Sequence, residues 1–209
     1  MTTLKHISFD LDGTLINSFG NMKIAWQGAT EALHINCGFS EYRRYVGLPF
    51  PKIMEMLGLK NYTTELSEEY FTRTRALAGN IPEIPGAKDL VKLCRDEGYK
   101  VSIITSKPRK NSEDIVEKMG FQVDELICGD DFTKGKPDPY AGFLVCKKLG
   151  VTPAETLYVG DMVFDFQFAL NAGMQFVYFD DNGANRMPSN MVNHCDRIHT
   201  LPELAARLA

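Results

Sequence analysis

Asp10 and Asp12 stand two residues apart at the end of a short run, Leu4–Asp10, that alternates apolar with polar residues. In extended backbone that spacing puts both carboxylates on one face, about 6.5–7 Å apart. Like charges that close repel unless a cation or proton sits between them. A third carboxylate, Asp161, closes the run Thr156–Gly160, and Asp165 follows four residues later. Such a set suits a hard divalent ion, and magnesium fits best, because it takes a few carboxylate oxygens, keeps several waters and shares its shell with substrate phosphate. Thr105 and Ser106 offer two hydroxyls at the end of a further apolar run, and Lys136 offers a fixed positive charge. Phosphoryl transfer needs a nucleophile, charge neutralisation on the moving oxygens and a proton donor for the leaving alcohol, and each has a candidate here. A carboxylate nucleophile gives an acyl phosphate that water can hydrolyse. Gly13 lets the backbone turn away where a side chain would obstruct a ligand.

These residues converge only if the elements carrying them share an edge. Leu4–Asp10, Tyr99–Thr105, Glu125–Cys128, Thr156–Gly160 and Gln175–Phe179 read as strands. Helical spacing fills Gly86–Asp96, Arg109–Met119, Pro139–Leu149 and Phe164–Asn171, with glycine stops at Gly98, Gly120 and Gly150. This rhythm predicts a parallel sheet covered on both faces, with ligands beyond the carboxyl ends of its strands. Nearly ninety residues separate the first two strands, far more than one crossover needs. Helical spacing at Met22–Ala32, Pro51–Leu57 and Leu66–Leu77 predicts a small inserted all-α domain, and Ile81–Gly86 predicts its hinge. The expected division is an α/β core of residues 1–16 and 81–209 and a helical cap of residues 17–80.

DLDGT at residues 10–14, the threonine closing the second strand, GKPDP at 135–139 and GDMVFD at 160–165 occur in the order of the haloacid dehalogenase superfamily, which the chain resembles over nearly the whole core. The resemblance is to the phosphoglycolate phosphatase and β-phosphoglucomutase branch, and it implies a Rossmann-like parallel sheet with a helical cap after the first motif. It implies Asp10 as nucleophile and Asp12 as the general acid that later activates water. It also implies Thr105 and Lys136 as phosphoryl holders, and magnesium bound by Asp10, the Asp12 backbone carbonyl and Asp161. Asp165 would be an additional metal ligand or a carboxylate behind the ligands, and Ser106 a further phosphate contact. The expected activity is magnesium-dependent hydrolysis of a small phosphorylated metabolite, resembling phosphoglycolate or a sugar phosphate, through an aspartyl phosphate. The alternatives are a phosphosugar mutase, which shares these core residues, and a receiver-type phospho-acceptor switch. Met162 departs from the small residue, often serine, that many relatives carry there. Asp12 argues against carbon–halogen cleavage, because the original dehalogenases lack it.

Twenty-seven acidic against 23 basic residues leave a net charge of −4, which lacks the positive field nucleic-acid binding depends on. No stretch has the length and apolarity of a membrane span or a signal peptide, so the expected setting is cytoplasmic and the expected assembly a monomer or homodimer. Five scattered cysteines form no C-x-x-C pair and read as small hydrophobes. His6, His34, His194 and His199 show no ligand spacing and read as structural or surface residues. Arg43, Arg44 and Lys52 flank Val46–Pro49 and are candidates either for the substrate's remote end or for a solvated cationic face.

Overall fold

Six parallel strands form one sheet in the order β3-β2-β1-β4-β5-β6. They are β1 (His6–Phe9), β2 (Lys100–Ile104), β3 (Glu125–Ile127), β4 (Thr156–Gly160), β5 (Gln175–Phe179) and β6 (Asp196–Ile198). This computed structural model describes residues 3–181, 187–193 and 195–209. His194, read above as a structural or surface residue, lies outside the described residues.

β1 is buried at every residue because helices cover both faces of the sheet. On one face Ile7, Phe9, Val101, Ile103 and Val159 pack with Leu90 of α5 (Ala87–Asp96), Ile115 of α6 (Arg109–Met119) and Leu204 of α10 (Leu201–Leu208). On the other, Ile104 and Tyr158 pack with Val145 of α7 (Tyr140–Leu149) and Phe168 of α8 (Val163–Ala172). The polar side of β1 is buried too. His6 meets Thr156 Oγ1 at 3.1 Å and Ser102 Oγ at 2.8 Å, and Ser102 donates to Ser8 at 2.9 Å. Mutual hydrogen bonds keep these groups satisfied in a dry layer. Burial pulls the His6 imidazole down to about 4 against a weaker opposing pull from Asp124.

Between β1 and β2 the chain forms α1 (Phe19–Ala32), α2 (Phe39–Arg43), α3 (Phe50–Met56) and α4 (Thr63–Leu77). These helices share an apolar cluster of their own, in which Trp26 stacks on Tyr42 with centroids 4.2 Å apart and Tyr70 packs against Phe50 at 5.6 Å. The two crossings into this insertion run side by side: Asn17 N–H donates to Pro82 O and Ile84 N–H to Leu15 O, both at 2.9 Å.

Four elements, one strand and three α-helices, exceed the sequence reading. β6 is three residues long with only Ile198 buried, too short for an alternation signal. α10 starts at a Thr-Leu-Pro turn in which Thr200 Oγ1 and the His199 N–H both donate to Glu203, and α2 is five residues long. α9 (Ser189–Val192) lies before β6.

Candidate active site

Strand order reverses at β1, which lies between β2 and β4, so the crevice at the carboxyl ends opens beside it. Register sets the depth of each group. Phe9 aligns with Ile103 on one side and Val159 on the other, and Asp10 N–H donates to Val159 O at 2.8 Å. Asp10, Thr105 and Asp161 therefore leave their strands within about a residue of the same level. Gly13 turns the chain with φ +93°, and a Cβ there would stand 2.4 Å from Asp161 Oδ2. A Cβ on Gly160 would stand 2.5 Å from Asp165 Cγ. Both glycines allow carboxylates to approach backbone that a side chain would push away.

Asp10, Asp161 and Asp165 are all buried, and one oxygen of each lies within 4.8 Å of the others. Lys136, 1% exposed, reaches Asp10 Oδ1 at 2.5 Å and Asp165 Oδ1 at 2.8 Å. Burial would depress this ammonium, yet the Asp10 and Asp165 carboxylates outweigh it and hold it above its ordinary value. Burial pushes the Asp10 carboxyl well up; Lys136 pulls it back, and Asp165 and Asp161 push it further. Both oxygens of Asp165 are engaged: Oδ1 also accepts from Tyr158 OH at 3.3 Å, and Oδ2 accepts the Met162 N–H at 3.0 Å at the start of α8. Thr14 donates to Asp161 Oδ1 at 3.2 Å.

The Asp12 side chain stands outside this acidic group. Its Oδ1 accepts from Ser18 Oγ at 2.6 Å and lies 3.2 Å from Lys107 Nζ. Thr105 accepts the Lys107 N–H at 3.1 Å and lines the same cavity as Asp10 and Asp12. Ser106 faces the insertion, donating to Gly47 O at 2.6 Å. Sequence reasoning missed Lys107, Ser18, Thr14 and Tyr158. A lysine before proline reads as a solvated loop residue, and a strand tyrosine reads as packing; only the position of Lys107 two residues past Thr105 could have drawn attention to it.

Asp10, Asp12, Thr105, Ser106 and Lys107 line one side of a cavity of about 40 Å³, room for a few water molecules. The insertion closes the other side with Met22, Tyr42, Val46, Leu48, Phe50, Ile53, Tyr70 and Phe71. Met162 also lines it, and with Phe164 it packs against Gly47 at 3.7–3.9 Å from the position a Cβ would take. The apolar residues that depart from the usual motif thus seat the insertion on the core. Arg43 and Arg44 are exposed, Arg43 lying 4.8 Å over the Phe19 ring, and Lys52 pairs with Glu55 on the outer surface. The described cysteines form no disulfide, and no described helix is long and apolar enough to cross a membrane.

The donor set suits a magnesium ion. It is all oxygen, buried, and carries more negative charge than Lys136 neutralises. A phosphoglycolate phosphatase of Vibrio vulnificus is 31% identical over 186 residues, covering 81% of each chain. A phosphorylated carbohydrates phosphatase of Thermotoga maritima is 24% identical over 185 residues, covering 84% of each. The crystal structure of a hydrolase from Pseudomonas syringae superposes with a TM-score of 0.85 at 24% identity, covering 98% of this chain and 99% of that one. The family model for haloacid dehalogenase-like hydrolases matches residues 7–179, and the chain belongs to that family.

Proposed function

We propose that the protein is a magnesium-dependent phosphatase of a small phosphorylated metabolite, phosphoglycolate-like or sugar-phosphate-like, working through an aspartyl phosphate. The observation that carries this reading is the meeting of Asp10 with Lys136 at 2.5 Å beside Asp161, at the wall of a cavity shared with Asp12 and Thr105. Residues 17–80 act as a cap that shields the intermediate from bulk water.

An Asp10 oxygen bonds to phosphorus as the bond to the leaving alcohol breaks, and the alcohol takes its proton from Asp12. Asp12 then accepts a proton from water, whose oxygen attacks phosphorus. The bond to Asp10 breaks, inorganic phosphate leaves, and both carboxyl groups return to their starting state. Ser18 and Lys107 hold Asp12 in place for both transfers. Thr105 and Lys136 bind phosphoryl oxygens, and Asp165 orients Lys136. Asp10, Asp161 and the Asp12 carbonyl would hold magnesium, whose charge stabilises the oxygens of the transferring group.

The relatives named as phosphatases support hydrolysis over the mutase and the switch. Asp10→Asn is expected to reduce phosphate release from p-nitrophenyl phosphate to background with an unchanged circular dichroism spectrum. Excess chelator is expected to stop the wild type, and added magnesium to restore it. Near-normal turnover in either condition overturns the assignment.

A further inference from the structure

The cap side of the cavity has a chemistry of its own. Among the described residues, its lining from the insertion carries no charged side chain, and its only side-chain oxygens are the phenols of Tyr42 and Tyr70. The Tyr70 hydroxyl is buried with the Tyr42 phenol beside it and has no partner within hydrogen-bond distance. A buried hydroxyl left unpaired is costly and marks a place where a ligand atom can complete the bond. Burial holds both phenols above their ordinary range, so they remain neutral hydrogen-bonding groups throughout physiological pH. The one cation on the lining, Lys107, comes from the core and is engaged by Asp12. Arg43, Arg44 and Lys52, the cationic candidates near this loop, are outside the lining.

Resting on the phosphatase reading, we infer that the substrate is a phosphate ester of a neutral, hydroxyl-bearing alcohol, a polyol or sugar, whose hydroxyl pairs with Tyr70, and that Tyr70 is a specificity-determining residue. A carboxylate on the leaving group would lose its water against Met22, Phe50, Ile53 and Phe71 with no free cation to receive it. A polyol keeps its apolar face on those rings and gives its hydroxyl to the phenol. A site that hydrogen-bonds a substrate hydroxyl discriminates strongly against analogues lacking it.

Glycerol phosphate, 2-phosphoglycolate and p-nitrophenyl phosphate, assayed by phosphate release, test this. The expected wild-type result is a kcat/KM for glycerol phosphate at least about tenfold above that for phosphoglycolate. Tyr70→Phe is expected to lower the ratio of kcat/KM for glycerol phosphate to that for the aryl phosphate by roughly tenfold. Its thermal midpoint should be equal or higher, because the variant removes an unpaired buried hydroxyl. A merely structural tyrosine would lower the midpoint and leave the ratio unchanged. Phosphoglycolate turned over as well as glycerol phosphate, or an unchanged ratio in Tyr70→Phe, overturns the inference while leaving the phosphatase reading intact. Absence of turnover on all three, with magnesium present, overturns both.

Discussion

Asp165 is where composition and geometry point in different directions. Four residues after Asp161, it belongs by type to the metal set, and one of its oxygens lies within 4.8 Å of an oxygen of Asp10 and of Asp161. Its two oxygens nevertheless take Lys136, the Tyr158 hydroxyl and the Met162 amide. These contacts suit a residue that holds Lys136 on the phosphoryl side of Asp10. Asp165→Asn keeps the shape and weakens the hold, leaving Lys136 to Asp10 alone. At saturating magnesium kcat is expected to fall about 10- to 100-fold, the scale of a displaced catalytic group. The magnesium concentration for half-maximal activity should barely move. A direct ligand would give the reverse pattern, with activity recovered by more magnesium, and a magnesium titration of the two proteins separates them.

At the scale of the elements, most of the sheet is legible because a parallel strand buried on both faces advertises its end. Asp-Gly after β1 and Gly-Asp at the end of β4 mark both the end of pairing and the start of the site. Side chains that act across space are less legible. Lys107 serves a residue 95 positions away in sequence, and Tyr70 looks like any apolar position of an amphipathic helix. The layer joining β1, β2 and β4 through His6 is similarly hidden, since alternation in β1 predicts a polar side without saying that helices will bury it. That burial has a pH signature. The unfolded imidazole titrates near 6.5 and the folded one near 4, so between these values the unfolded chain binds more protons and stability falls as pH falls. From pH 7 to pH 5 this single group removes about 2 kcal/mol, nearly all of its effect being complete by pH 4. Other carboxyl groups titrate in the same range, so the measurement is a comparison. Urea unfolding of wild type and His6→Gln at both pH values should show the stability gap between them narrowing by about that amount at pH 5. A gap independent of pH would mean that the folded protein accommodates the charged ring.

For the whole molecule, the cavity sets a requirement on motion. A space of about 40 Å³ holds a few waters, and on the proposed phosphatase reading the insertion swings away from the sheet edge to admit a phosphate ester. The paired crossings at Asn17–Pro82 and Leu15–Ile84 join the insertion to the core. Farther along, Asn111 of α6 donates to Phe71 O at 3.1 Å and Thr74 Oγ1 at 3.0 Å. At the cavity lip, among the described residues, a single side-chain hydrogen bond joins the core loop after β2 to the insertion, Ser106 to Gly47 O. Removing one such bond shifts a closing equilibrium by about 0.5–1.5 kcal/mol, or roughly two- to tenfold in population. Ser106→Ala in the ligand-free protein is therefore expected to speed amide hydrogen exchange in residues 45–50 by that factor, with the Asn111-anchored end of α4 unchanged. The measurement separates two roles for the same hydroxyl. A serine whose only task is to touch bound phosphate would weaken substrate binding yet leave exchange without ligand untouched, whereas a serine that latches the lip alters exchange before any substrate arrives.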